Sequence, residues 1–234
     1  MARVGIEWIN NFPAPCTQNT LSYCDETSVG FLDGMVSRGH TAAFNWGNAN
    51  AFERDFRDPA SGGDDTRWAD DVDFVHFSSH GVTNAQNVFV GSLGSRVDRC
   101  SWRTDDARFG NSNLEYLCID ACNSVDLAGN PVATWHRAFH GLRMVLGFTD
   151  LVSDSWWTGG RGHSFGRRAG NGERITDAWL DAGYSFWLDD NPVAMAAGRN
   201  RDDAINRLNN ERLGGGFGDI PNNQIGWFQW RWRS

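Results

Sequence analysis

Val75-His76-Phe77-Ser78-Ser79-His80-Gly81 and Tyr116-Leu117-Cys118-Ile119-Asp120-Ala121-Cys122-Asn123 are the two stretches that decide the fold. Each is a short apolar run that stops at a reactive side chain followed by turn-forming residues. Runs of this kind read as strands buried on both faces of a parallel sheet. Outward from them, 3–9, 41–46, 143–150 and 192–198 read the same way, beside 72–79 and 115–121 themselves.

Helical patterns fill the gaps. Residues 28–38 carry Val29, Leu32, Met35 and Val36 on one face and stop before Gly39, a residue suited to the position after a helix. Residues 131–142 start with a proline, which a first helical turn accepts. Residues 173–188 place Ile175, Trp179, Ala182 and Phe186 at helical spacing, and 201–213 do so with Ala204, Ile205, Leu208 and Leu213. The alternation predicts an α/β three-layer sandwich, with a mainly parallel sheet of about six strands flanked by helices. No composition shift marks a boundary, so a single domain over 1–234 is expected. Two polar stretches, 48–69 and 83–113, read as surface insertions or loops around a site, the second with a short hairpin near 88–93. Near the C-terminus, alternation in Trp227-Phe228-Gln229-Trp230-Arg231-Trp232-Arg233 predicts a half-buried strand with Phe228, Trp230 and Trp232 on one face.

Charge and composition narrow the function. The 234-residue chain carries a formal net charge of −8, which argues against a nucleic-acid partner. Every basic residue is Arg, so lysine Schiff-base chemistry is excluded. No stretch is long enough to span a membrane, and no leader pattern opens the chain. The five cysteines are odd in number and lack tight spacing, which argues against a disulfide framework. A soluble protein in the reducing cytoplasm is the resulting expectation.

Ligands of open parallel sheets bind beyond the carboxyl ends of the strands. His80, with Gly81 behind it, and Cys122, with Asn123 behind it, occupy that position on consecutive core strands. His76 and Cys118 lie further inside. A proton-transfer group beside a sulfur nucleophile is the equipment of thiol acyl transfer. A metal centre is the rival. His136 and His140 are spaced i,i+4 on a predicted helix, as zinc sites use, but no Glu adjoins His136 and the motif is not that of a metallopeptidase. Cys118 and Cys122 lie about 13 Å apart along a strand and cannot share one ion. No metal and no cofactor is therefore expected.

At these residues the chain resembles the caspase-like cysteine peptidases, the group of caspases, metacaspases, legumain, separase and gingipains. Their pattern is an apolar strand ending in His-Gly and a later one ending in Ala-Cys. Here these read Phe77-Ser78-Ser79-His80-Gly81 and Ile119-Asp120-Ala121-Cys122. A helical Phe139-His140-Gly141-Leu142 and a strand Val145-Leu146-Gly147-Phe148 follow in similar order. The resemblance implies Cys122 as nucleophile and His80 as proton donor to the leaving amine, with the backbone N–H groups of Gly81 and Cys122 as oxyanion donors. It also implies Asn10 or Asn11 as the group that orients the histidine, and Asp154, Trp156 and Trp157 as residues of the substrate pocket. The implied activity is hydrolysis of a peptide, a protein or a small amide. A peptide ligase or cyclase would use the same dyad, and an inactive binding module of the same fold is a further alternative.

Overall fold

The computed structural model describes residues 1–95 and 97–234. Seven strands form the main sheet: β1 (Arg3–Trp8), β2 (Thr41–Gly47), β3 (Phe74–Ser78), β7 (Tyr116–Asp120), β8 (Met144–Phe148), β9 (Pro192–Gly198) and β10 (Trp227–Trp232). Their order across the sheet is β10-β9-β8-β7-β3-β1-β2. The five strands from β2 to β8 run parallel. The last two, β9 and β10, are antiparallel to their neighbours. All six strand runs read from the sequence are present. The C-terminal strand also forms, with Phe228 buried, Trp230 half-buried and Trp232 exposed.

Strands β3 and β7 are fully buried, as their unbroken apolar runs require. Register then places the reactive residues. Ser78 lies beside Asp120, so His80 and Cys122, each two residues further on, leave the sheet at the same edge.

One face of the sheet is covered by helices: α1 (Cys24–Val36), α3 (Arg161–Gly170), α4 (Ile175–Gly183) and α5 (Arg201–Asn210). Phe31, Met35, Phe165, Ala169, Trp179 and Leu208 pack there on Ile6, Phe74, Tyr116 and Leu146. Sequence periodicity missed α3, whose contact with α1 joins the stacked Phe31 and Phe165 rings to close approaches of backbone. A Cβ at Gly162 would lie 1.8 Å from the Thr27 carbonyl oxygen, and one at Gly166 would lie 2.2 Å from that of Phe31. From the other side, a Cβ at Gly34 would lie 2.7 Å from the Arg167 nitrogen. A helix that buries glycine has no apolar stripe to read.

The opposite face corrects the reading of the two polar stretches as surface insertions. They form the third layer. Residues 48–71 wind through short 3₁₀ turns, and 81–103 fold into a small antiparallel sheet of β4 (Gly81–Thr83), β5 (Phe89–Ser92) and β6 (Ser101–Arg103). Ala51, Phe56, Ala69, Phe89, Leu93 and Trp102 from these stretches join the core against Val75, Phe77, Leu117 and Ile119. Trp102 is fully buried and stacks on Phe56 at 4.9 Å; truncating such a ring costs about 3–5 kcal/mol. The polar residues serve the loop backbone. The Asp70 carboxylate alone accepts from the N–H groups of Gly110, Ser112 and Leu114.

Four helix readings are corrected in extent, α5 simply stopping at Asn210 short of Leu213. The helix read at 131–142 stops early: α2 spans only Pro131–Trp135, and His136 begins a 3₁₀ turn. The i,i+4 relation of His136 and His140 is therefore lost. Helix α4 ends at Gly183, and Phe186 is 71% exposed in the turn beyond instead of packing. Helix α1 begins at Cys24, ahead of its periodic stretch.

A disulfide joins Cys16 to Cys100 across a sequence separation of 84, contrary to the cysteine count; Cys24, Cys118 and Cys122 are free. The bond removes the ground on which a cytoplasmic, reducing location was expected. Among the described residues no helix is long and apolar enough to cross a membrane.

Candidate functional site

A cavity of about 260 Å³ opens at the carboxyl ends of β3 and β7. Ser78, Ser79 and His80 line it from β3, and Asp120 and Cys122 line it from β7. Val152, Ser153, Asp154 and Thr158 come from the segment after β8, and Leu21, Tyr23, Cys24 and Thr27 close it from the start of α1. The histidine and cysteine singled out in the sequence thus share one enclosed space. A larger hollow of about 460 Å³ lies elsewhere, lined by residues such as Gln86, Asp105, His136 and Arg137. It holds no thiol, so chemistry favours the smaller one.

Cys122 stands on a sharp turn. Asn123 after it has φ 51°, a left-handed conformation that Asn tolerates better than most residues. Its N–H donates to Asp150 O at 2.9 Å, and Thr83 Oγ1 donates to Asn123 O at 2.7 Å. The Val152 N–H donates to Cys122 Sγ at 3.3 Å. Burial pushes the Cys122 thiol above its usual range, and the Val152 amide opposes this while Asp120 and Asp190 add to it. The resting sulfur is therefore a protonated thiol at neutral pH and needs a neighbouring base.

The imidazole of His80 is held from outside the sheet. Its Nε2 lies 2.8 Å from Asn19 O. A carbonyl only accepts, so Nε2 carries the proton and Nδ1 is left as the acceptor. Phe12 packs on the ring at 5.2 Å between centroids. The orienting group is thus a main-chain carbonyl, and neither Asn10 nor Asn11 fills that role. The Asn10 side chain exchanges hydrogen bonds with Asp25, and the Asn10 and Asn11 amides both donate to Asn48 Oδ1. No side-chain pattern could have revealed Asn19.

Gly81 is required for close approach. A Cβ there would lie 2.7 Å from the Phe89 ring and 2.9 Å from Ala121 Cβ, next to Cys122. Ser92 N donates to His80 O, which by the alternation of an antiparallel ladder makes Gly81 and Gly91 the non-hydrogen-bonded pair. The Gly81 N–H accordingly turns away from β5, as an oxyanion donor must.

Three wall residues, Asp120, Ser153 and Thr158, are tied to one buried cation that does not itself line the cavity. Arg161, at the start of α3, meets Asp120 at 3.3 Å and Asp190 at 2.9 Å. Burial raises both carboxyls, and Arg161 pulls them back down. Asp154 lines the cavity, but its two oxygens already accept the N–H groups of Ser22 and Tyr23. Trp156 and Trp157 are absent from the wall; they stack on each other at 3.6 Å and are 62% and 70% exposed. Asp120 and Arg161 went unnamed in the sequence reading, although Asp120 lies two residues before the cysteine.

The other histidine and thiols fill structural roles. His76 is fully buried, bonds Ser28 Oγ at 3.0 Å and stacks on Phe31; burial pushes it down to about 3, so it is neutral. Cys118 is fully buried, and burial drives its thiol well up. Burial likewise raises Cys24, the second thiol on the cavity wall. Among the described residues, no three His, Cys, Asp or Glu side chains converge as metal ligands.

A protein-family model described as a domain of unknown function, DUF6345, matches residues 6–234, and the chain belongs to that family. No curated protein matches it.

Proposed function

We propose that the protein is a cysteine-dependent amide-bond hydrolase or acyl transferase of the caspase-like kind, working through His80 and Cys122. The observation that carries the reading is the placement of both side chains in one cavity at the carboxyl edge of a parallel sheet. The strand order and the histidine held by a carbonyl support it too. Nδ1 of His80 takes the thiol proton as Cys122 Sγ attacks the substrate carbonyl carbon. The N–H groups of Gly81 and Cys122 receive the oxyanion. The C–N bond then breaks, His80 passes its proton to the departing amine, and water cleaves the thioester to restore the thiol.

The charge of the cavity points to the substrate. Among the described residues the wall carries the carboxylates Asp120 and Asp154 and no Arg, so a basic side chain next to the scissile bond suits the site. An amine in place of water would turn the same chemistry into ligation or cyclisation. The test is intact-mass analysis of a peptide library incubated with wild type and with Cys122→Ala. Shortened products that require Cys122 and follow Arg or Lys are expected. Loss of one water without cleavage would mean cyclisation, and no Cys122-dependent change would favour a binding module.

A further inference from the structure

Residues 10–23 form a strap outside the sheet, closed on itself where Leu21 N donates to Asn10 O at 2.9 Å. Between 11 and 20 only Phe12 and Cys16 are buried, so the strap has little core of its own. Yet it supplies the whole seat of the catalytic imidazole: Asn19 O on Nε2 and Phe12 on the ring. The backbone of His80 belongs to a different element. Ser92 N donates to His80 O at 2.9 Å, and Ser79 Oγ donates to Ser92 O at 2.8 Å. The loop that leaves Ser92 returns on itself where Leu93 N donates to Cys100 O at 2.8 Å. His80 is thus held by its ring to one loop and by its main chain to another. Among the described residues two links join those loops directly: Gln18 Nε2 on Ser92 Oγ at 2.7 Å, and the Cys16–Cys100 disulfide.

We propose that the Cys16–Cys100 disulfide, through the strap it tethers, positions His80 for proton transfer, so that reducing this one bond switches the site off. The proposal rests on the His80–Cys122 reading above. Asn19 acts through a carbonyl that no neighbouring side chain replaces. Once the strap is released, the imidazole is free to rotate and to exchange tautomers, and its aligned acceptor is lost. The sign is unusual for a thiol-dependent enzyme, which reductants ordinarily favour because they keep the nucleophile reduced. A phosphine carries out the cleavage. Its phosphorus attacks one sulfur and the S–S bond breaks. Water then provides the oxygen of the phosphine oxide and the protons of the two thiols.

The experiment follows the rate of Cys122 alkylation by iodoacetamide at neutral pH, read by peptide mapping, and needs no substrate. It compares oxidised wild type, wild type reduced with a phosphine and desalted, the same sample reoxidised, the double variant Cys16→Ser/Cys100→Ser, and His80→Ala. The opened forms are expected to react about tenfold or more slowly than oxidised wild type, near the rate of His80→Ala, and reoxidation restores the rate. If His80→Ala is slow but the opened forms react like oxidised wild type, the disulfide proposal falls and the dyad stands. If His80→Ala reacts like wild type, the dyad itself falls, and the proposal with it. Near-ultraviolet circular dichroism accompanies each form. Slowing that comes with complete loss of that spectrum assigns the bond to the fold instead of to His80 and overturns the proposal.

Discussion

Replacing Asp65 by Asn is expected to stabilise the protein, and to do so far more at high pH than at low. Asp65 is fully buried in the polar layer, and neither of its carboxylate oxygens has a hydrogen-bond partner. Burial, with Asp70 and Asp58 nearby, raises its pKa from 3.8 to about 8. A carboxyl whose folded pKa lies above its unfolded value is protonated in the native state while the unfolded chain has already ionised. Its contribution is therefore intact below the unfolded value and is lost as pH rises toward the folded one. At about 1.36 kcal/mol per pKa unit, the penalty carried by wild type grows by about 4 kcal/mol between pH 5 and pH 9. Asp65→Asn keeps the shape and removes the ionisation. Asp55 and Glu115, both raised to about 7 by burial, contribute to wild type and variant alike and cancel in the difference. Urea unfolding at pH 5 and pH 9 measures it by linear extrapolation. A gain that widens by about 2 kcal/mol or more supports the reasoning; equal gains at the two pH values refute it.

Two further outcomes probe the site directly. Gly81→Ala drives a methyl group into the Phe89 ring and Ala121, with an expected loss of about 1–3 kcal/mol in thermal unfolding. Because the displaced backbone separates His80 from Cys122, turnover or Cys122 alkylation should also fall by about a hundredfold. Arg161→Met leaves Asp120 and Asp190 buried without their cation, which should cost about 3–5 kcal/mol in urea unfolding. Adding Asp190→Asn should recover part of that loss; no recovery would show that the ion pair is not its source.

The parts legible in the sequence are those whose physics is local. The strands β1, β3, β7, β8 and the antiparallel β9 are apolar runs bounded by turn residues, the signature of strands buried on both faces. His80 and Cys122 were legible because strand ends can be counted along the chain. Helix α3 was not, since glycines at 162 and 166 leave Phe165 as the one large apolar side chain of its buried face. The third layer was hidden by carboxylates such as Asp70, which bond loop backbone and give core segments a surface composition. The Cys16–Cys100 pairing joins loops far apart in the chain, and odd cysteine number gave no hint of it. Asn10 and Asn11 were candidates to orient His80 because the family resemblance implies an Asn at the end of the first strand, whereas here the ring is held by the carbonyl of Asn19.

The glycine contact between α1 and α3 sets a limit on how this scaffold can diverge. Thr27 on α1 lines the cavity, and Arg161 at the start of α3 bonds the wall residues Asp120 and Ser153, so the spacing of the two helices sets where that wall lies. That spacing is a contact of main chain on main chain, and no rotamer change can absorb a larger residue there. The lining of the cavity can therefore be changed by exchanging side chains on the rim, whereas the position of this wall is as fixed as the backbone itself. A designer who wants to move that wall has to rebuild a helix, whereas its charge is open to change by replacing Asp120 and Arg161 together.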